Sequence, residues 1–122
     1  MTPFGSKLRQ LRKAKGVKLK EMSEGVGVSS AYLSALEHGK RGTPTWAMVQ
    51  RIISFFNVIW DDAEELQRLA EISDPRVVVD TAGMNPKATE LANRLAQDIK
   101  KLDPEALDEL LIALSKAIAS SK

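Results

Sequence analysis

The side chains that could do chemistry in this sequence are mostly basic, and they lie at one end of the chain. Residues 1–45 hold nine Lys and Arg against three Asp and Glu, a net charge of +6. The net charges of residues 46–73 and 74–122 are −3 and −1. A basic segment joined to a mildly acidic remainder is typical of a surface that binds nucleic acid. The alternative is a solvated basic surface without a partner.

Residues for catalysis or metal binding are scarce. The chain has no cysteine and one histidine, His38, so we expect neither a thiolate nor a histidine-cluster metal site. The sequence contains no glycine-rich phosphate loop and no nucleophile–base arrangement. We therefore expect no enzyme activity, no cofactor and no metal.

The hydropathy pattern indicates a protein that does not enter membranes. No stretch approaches the ~18 apolar residues of a membrane span. The first residues become basic and periodic without the apolar run of a signal peptide. The absence of cysteine fits a reducing compartment. We expect a cytoplasmic protein.

The elements that must position the basic residues are predicted to be helices. Phe4, Leu8 and Leu11 recur at i, i+4 and i+7, and Gly16 ends that run. The predicted N-caps of the third, fourth and fifth helices are Ser29 or Ser30, Thr45, and Asp61 paired with Glu64. Left-handed residues are predicted at Gly27 and Asn57. We expect Trp46 and Trp60 to pack in the core.

Two further helices are predicted in the second half, where a cap residue precedes proline at Asn85-Pro86 and Asp103-Pro104. They form a helical hairpin in an all-α fold. The predicted organisation is a five-helix domain at 1–73, a linker at 74–85 and a C-terminal helical segment at 86–122. The three valines at 77–79 are predicted either to pair as a strand with a symmetry mate or to form a buried extended linker.

The window from Leu19 to His38 follows the helix-turn-helix pattern. Ser23 is small at the point where the two helices must cross, and Gly27 lies in the turn. The apolar positions that lock the helices together are Met22, Val26, Val28, Leu33 and Leu36. A helix held this rigidly can enter the ~12 Å wide major groove of DNA.

The stretch "LRQLRKAKGVKLKEMSEGVGVSSAYLSALEHGKRGTPT" resembles the Cro/C1-type (XRE) DNA-binding domain of phage and bacterial repressors. The resemblance extends from residue 4 to about residue 70 and implies a lambda-repressor-like five-helix domain. It implies base-edge or phosphate contacts by the recognition helix at Ser29, Ser30, Ala31, Ser34, Ala35 and His38. Lys40 and Arg41 would approach the DNA backbone in the following loop, and Arg12 with Glu37 would form a structural ion pair.

Two positions depart from the family pattern. Lys18 replaces the usual polar cap, and Leu19 replaces a glutamine that commonly donates to a phosphate. Lys18 and Lys20 could supply charge there, with less directional geometry, or could simply be solvated. Tyr32 is predicted either to donate to a phosphate through its hydroxyl or to pack against the second helix.

The recognition helix carries small side chains where other such helices carry Arg, Asn or Gln. No bidentate contact to guanine or adenine is available on this face, so we expect water-mediated contacts and DNA shape to carry much of the specificity. Ala31 and Ala35 can contact a thymine methyl group.

Helix-turn-helix modules generally act as dimers on two half-sites, and the C-terminal hairpin is a natural dimerisation element. Its predicted dimerisation residues are Leu91, Leu95, Ile99, Leu107, Leu111, Leu114 and Ile118. The hairpin could instead complete the core of the monomer.

The leading interpretation is a homodimeric DNA-binding regulator, by family analogy a repressor, that recognises an inverted repeat in double-stranded DNA. One alternative is an antitoxin that binds its own operator and neutralises a partner protein. Another is a regulator that responds to a small molecule bound under the C-terminal helices.

Overall fold

The computed structural model describes residues 1–40 and 43–121. Its helices are α1 Pro3–Lys15, α2 Leu19–Val26, α3 Ser30–Glu37, α4 Trp46–Phe56, α5 Asp61–Glu71, α6 Pro86–Asp98 and α7 Pro104–Ser120. A 3₁₀ turn, Ile99–Lys101, follows α6. Across the described ranges no residue is in a strand, so the predicted all-α fold is confirmed. The chain divides into two compact units, Met1–Val77 and the segment from Val78 onward.

Side-chain caps begin the first, third and fourth helices. The Thr2, Ser29 and Thr45 hydroxyl oxygens accept the backbone N–H groups of Gly5, Tyr32 and Met48 at 3.0, 3.0 and 3.1 Å. Each bond satisfies a donor that the helix itself leaves unpaired. The predicted caps at Ser29 and Thr45 are confirmed.

Left-handed residues end α1, α2 and α4, and those at Gly27 and Asn57 confirm the prediction. Gly16 and Gly27 have φ of 66° and 88°, and Asn57 closes α4 with φ of 54°. Asparagine visits this region more readily than other non-glycine residues because its short polar side chain can hydrogen-bond to the nearby backbone.

The predicted start of α5 is wrong by one residue. Trp60 occupies the cap position with φ 54° and ψ −124° and makes no side-chain cap. Asp61 is the first helical residue, so its carboxylate lies in the first turn together with those of Asp62 and Glu64. Acidic groups there are favoured by the positive end of the helix dipole, which accounts for their position without a capping bond.

One hydrophobic core holds the five helices of the first unit together. Its buried members are Phe4, Leu8, Met22, Val26, Leu33, Leu36, Met48, Val49, Ile52, Phe56, Leu66 and Ala70. At Gly5 the backbone of α1 lies directly against that of α3, because an added Cβ would lie 2.0 Å from the Glu37 carbonyl oxygen. Glycine at this position therefore sets the separation of the two helices.

The prediction that both tryptophans pack in the core is wrong. Trp46 is 73% exposed at the first position of α4, and Trp60 is 82% exposed at the cap of α5. Both occupy helix ends, where a side chain can project away from the apolar stripe formed by the following turns.

The second unit consists of α6, the 3₁₀ turn and α7. Asn85 Oδ1 accepts the Lys87 N–H at 2.9 Å, and Asp103 Oδ1 accepts the Ala106 N–H at 2.8 Å, as expected for the two cap–proline pairs. None of the described residues in these three helical segments is buried. Apolar side chains of α6 and α7 instead line a shared, open groove.

Residues 77–79 are neither a strand nor buried. Val77, Val78 and Val79 are 74%, 94% and 66% exposed, so the interpretation as a buried linker is wrong. Pairing of this segment with a second chain stays a prediction. Within the described ranges, no helix has the length and apolarity needed to cross a membrane.

Candidate nucleic-acid interface

The turn between α2 and α3 is closed by hydrogen bonds to a single backbone carbonyl. The Ser23 oxygen accepts the N–H groups of Gly27 and Val28 at 2.9 and 3.0 Å. The Ser23 hydroxyl donates to the Lys20 carbonyl at 2.8 Å and lies 3.1 Å from the Ser30 hydroxyl. Ser23 is 4% exposed, so a small polar side chain links the two helices where they cross.

The two faces of α3 differ in burial. Leu33 and Leu36 are buried in the core, while Ala31 is exposed and Ser34 and Ala35 are half-buried. The outward face therefore carries small side chains over most of its length. A helix with such a face can approach another surface closely, because no long side chain separates the two.

The serines at the start of α3 are already engaged within the domain. Ser29 caps the helix, and the Ser30 hydroxyl pairs with that of Ser23. Tyr32 is half-buried and packs against the core. These residues orient α3, and only part of their hydrogen-bonding capacity is left for a ligand.

The end of α3 is organised around His38 and Gly39. The imidazole Nδ1 of His38 lies 2.8 Å from the Ser34 carbonyl oxygen, while the ring remains exposed. Gly39 is buried with φ 79°, and an added Cβ would lie 2.7 Å from the Thr2 methyl carbon. The Lys40 N–H donates to the Ala35 carbonyl at 2.8 Å, and its side chain is exposed. Arg41, predicted to contact the DNA backbone, lies outside the described residues.

A buried carboxylate fastens α3 to α1. Glu37 has a side chain only 2% exposed, and Arg12 donates to its two oxygens through Nε and Nη2, each at 3.1 Å. The guanidinium of Arg9 adds a longer contact at 3.6 Å. Two-point contact by a planar guanidinium fixes orientation as well as charge, so it holds the C-terminal end of α3 against α1.

Lys18 and Lys20 are exposed at the start of α2. The backbone N–H of Lys18 donates to Glu21 Oε1 at 3.3 Å, but the Lys18 ammonium has no lone pair and cannot cap the helix. Leu19, in the position of the family's glutamine, packs against the core. The charge of Lys18 is therefore directed to solvent, and the leucine side chain offers no donor to a phosphate.

Trp46 is a candidate interface residue that the sequence prediction missed. It is exposed and follows directly after the loop that begins at Lys40. The prediction for this residue was packing in the core instead. Its position directly after the N-cap Thr45 could have indicated exposure, because the first residue of a helix can project away from the buried stripe.

The described lysines of the predicted interface, Lys18, Lys20 and Lys40, have exposed side chains and lie at the start of α2 and shortly after α3. Among residues 1–40 and 43–121, no group of three or more metal-ligating side chains is present.

A family model described as a helix-turn-helix domain matches residues 3–73, more than half of the chain. The chain belongs to the helix-turn-helix family, of the Cro/C1 (XRE) type that the sequence resembles.

Three curated relatives from Bacillus subtilis (strain 168) each match about half of the chain. The "Uncharacterized HTH-type transcriptional regulator RghRB" is 37% identical over 62 residues, 51% of this chain and 45% of that protein. The "HTH-type transcriptional repressor RghR" is 31% identical over 61 residues, 50% of this chain and 45% of that protein. The "HTH-type transcriptional regulator SinR" is 32% identical over 55 residues, 45% of this chain and 50% of that protein. The chain thus spans about half the length of these relatives.

Proposed function

We propose that this protein binds double-stranded DNA sequence-specifically and regulates transcription. The observation that carries the proposal is the burial pattern of α3, whose inward face is fixed in the core while its outward face carries small side chains. Exposed cations lie at the start of α2, Lys18 and Lys20, and just after α3, Lys40. In the proposed complex α3 lies in the major groove and the flanking cations contact phosphates. Membership of the helix-turn-helix family supports the same function.

The proposed DNA contacts divide by chemistry. Lys18, Lys20, Lys40 and Arg41 neutralise phosphates and supply most of the affinity through counterion release. Ala31 and Ala35 contact thymine methyl groups, and Ser34 and His38 provide polar contacts. Ser29, Ser30 and Tyr32 lie at the edge of the interface and mainly hold α3 in place. With so few directional side chains, DNA shape carries part of the specificity.

We propose a homodimer formed through the C-terminal helices. Their apolar side chains are exposed in the single chain, as the values for Leu91, Leu111 and Ile118 show, at 59%, 62% and 58%. The other proposed dimerisation residues are Leu95, Ile99, Leu107 and Leu114. A contiguous apolar surface of this kind is unfavourable in water, and a second copy can cover it with an identical surface. Two linked domains would then read an inverted repeat.

The proposed direction of regulation is repression, through occupation of an operator. Family analogy and one relative whose name describes a repressor support this direction. A different occupant of the apolar groove, either a partner protein or a small apolar molecule, is the second candidate. The groove encloses about 410 Å³, within the range of small-molecule sites.

The testing experiment combines light scattering with selection of binding sequences from random duplexes at near-physiological salt. A dimer that enriches an inverted repeat, with half-sites about one helical turn apart, supports the proposal. A monomer that enriches no sequence contradicts it and favours the antitoxin or ligand-responsive alternatives. A dimer that enriches a single, unrepeated site would contradict the inverted-repeat model while retaining DNA binding.

A further inference from the structure

The segment at residues 76–80 has an unpaired backbone. From Val77 to Asp80 the chain contains no helix, turn or bend. Within the described residues, no hydrogen bond involves the backbone of Val77, Val78 or Val79. Their side chains are 74%, 94% and 66% exposed. Free amides beside three β-branched side chains are features of an edge strand, which pairs readily with another strand.

Two aspartates close the ends of this segment. Oδ1 of Asp74 accepts the Arg76 N–H, and Oδ1 of Asp80 accepts the Ala82 N–H, each at 2.9 Å. An aspartate that bonds to the amide two residues further on turns the chain locally. The stretch that can pair as a strand is therefore limited to the residues between these turns.

The charges at the ends of the segment are complementary to a second copy of it. Arg76 and Asp80 are exposed, and neither forms an ion pair within the described residues. In an antiparallel pair centred on Val78, Arg76 lies opposite Asp80 of the partner subunit, and the two-fold symmetry repeats this contact. A parallel pair in register places like charges opposite each other, which is unfavourable. Antiparallel pairing with an identical chain is therefore favoured.

We propose that residues 76–80 of two chains form an antiparallel ribbon on the two-fold axis of the dimer, with Val78 opposite Val78 of the partner subunit. Side chains alternate along a strand, so Val77 and Val79 lie together with their copies on one face of the ribbon. Two short strands are only marginally stable alone, so this inference rests on the proposed homodimer, which brings the segments together. Because the nearby Ser73 is fixed in the first unit, the ribbon restrains the distance between the two DNA-binding units.

Disulfide formation tests the register of the ribbon, because the natural chain has no cysteine. Val78→Cys should form a disulfide between the two chains, since residues directly opposite each other have Cβ atoms about 4.5–5.5 Å apart. Val77→Cys and Val79→Cys are the matched controls, because each lies diagonally from its own copy, at about 7–8 Å. In glutathione redox buffers, the equilibrium constant for the disulfide should be about tenfold or more higher for Val78→Cys than for either control.

The charge pairing is tested in the Val78→Cys protein at low ionic strength. Asp80→Arg places two arginines opposite each other at both ends, so the equilibrium constant for the disulfide should fall about two- to fivefold. Adding Arg76→Asp restores opposite charges and should recover the original value. Both of these variants lack the Asp80 bond to Ala82, so recovery would exclude the lost turn as the cause.

Other results would overturn the inference in distinguishable ways. Equal disulfide formation at all three valine positions would mean that the segments are close but not paired in this antiparallel register. A constant that Arg76→Asp fails to recover would contradict the pairing of Arg76 with Asp80 of the partner subunit. If the wild type is a dimer in light scattering and Val78→Cys stays reduced, this inference alone is wrong. If the wild type is a monomer, the proposed homodimer fails, and the inference fails with it.

Discussion

The backbone N–H of Phe4 donates a 2.9 Å hydrogen bond to the hydroxyl of Ser73, which lies 69 residues further along the chain. The same hydroxyl donates to the Leu69 carbonyl at the end of α5. Ser73 is 3% exposed. One buried hydroxyl therefore joins the first turn of α1 to the last turn of α5 and closes the five-helix unit.

Substitution of Ser73 by alanine should destabilise this unit. The Phe4 N–H would be left without its acceptor in a buried place, at a cost of about 1–3 kcal/mol. Urea unfolding followed by far-UV circular dichroism measures the loss, because this unit holds five of the described helices. Ser6→Ala, at an exposed site in α1, should change stability by less than about 0.5 kcal/mol. Equal effects of the two substitutions would contradict a role for the Phe4–Ser73 bond.

The ion pair between Arg12 and Glu37 should show strong coupling. Arg12→Ala leaves the buried Glu37 carboxylate with only the longer Arg9 contact, so we expect a loss of about 3 kcal/mol. Adding Glu37→Gln removes the buried charge, so the double variant should be more stable than Arg12→Ala alone. Arg94→Ala, which breaks an exposed pair with Glu90, should cost at most about 0.5 kcal/mol. Additive effects of the substitutions at Arg12 and Glu37 would show that the pair is not coupled.

Two helical glycines should respond differently to alanine. In Gly5→Ala the new Cβ meets the backbone of Glu37 at 2.0 Å, which forces α1 and α3 apart and should cost about 3 kcal/mol. In Gly25→Ala the nearest atom, at 2.2 Å, belongs to the ring of Phe55, a side chain that can rotate. The gain in helix propensity offsets part of that cost, so the net change should stay within about 1 kcal/mol. Thermal or urea unfolding of both variants tests this order, and a reversed order would contradict it.

Removal of the loop charges should change how DNA binding depends on salt. We expect the double variant Lys40→Ala/Arg41→Ala to bind DNA more weakly. The slope of log K against log salt concentration should become less negative by about 0.9 for each phosphate that the loop no longer neutralises. Fluorescence anisotropy over a salt series measures both quantities. Lys116→Ala, on α7, is the matched control and should leave the slope unchanged. An unchanged slope in the loop variant would exclude this loop from the proposed interface.

A charge placed in the groove of the C-terminal helices should dissociate the proposed dimer. Leu111 lines that groove and is 62% exposed in the single chain, so Leu111→Glu should leave the monomer folded. We expect light scattering of this variant to give the mass of a monomer. Its affinity for the operator should fall at least tenfold, because each domain would bind alone. Ala119→Glu introduces the same side chain at an exposed α7 position outside the groove lining and should remain dimeric. A dimeric Leu111→Glu variant would place the dimer interface elsewhere.

Local signals predicted most of the helices and their caps. The caps at Ser29, Thr45, Asn85 and Asp103 each depend on a side chain two or three residues from the amide that it accepts, so neighbouring sequence was sufficient. The start of α5 was mispredicted because a capping-box pattern and an acidic first turn look alike in sequence. Both tryptophans were mispredicted because helical spacing does not say whether an end residue projects from the stripe.

The amino-acid sequence by itself determined the helix-turn-helix window, the basic first third and the small side chains of the recognition helix, since these depend on residue types at short spacing. The tertiary structure decided which hydroxyls remain for a ligand, because the pairing of Ser23 with Ser30 requires two helices to cross. It also decided that the His38 ring is oriented by Ser34 and that Ser73 closes the domain onto Phe4. Such contacts depend on side-chain direction and on packing between distant segments, and sequence spacing specifies neither of these.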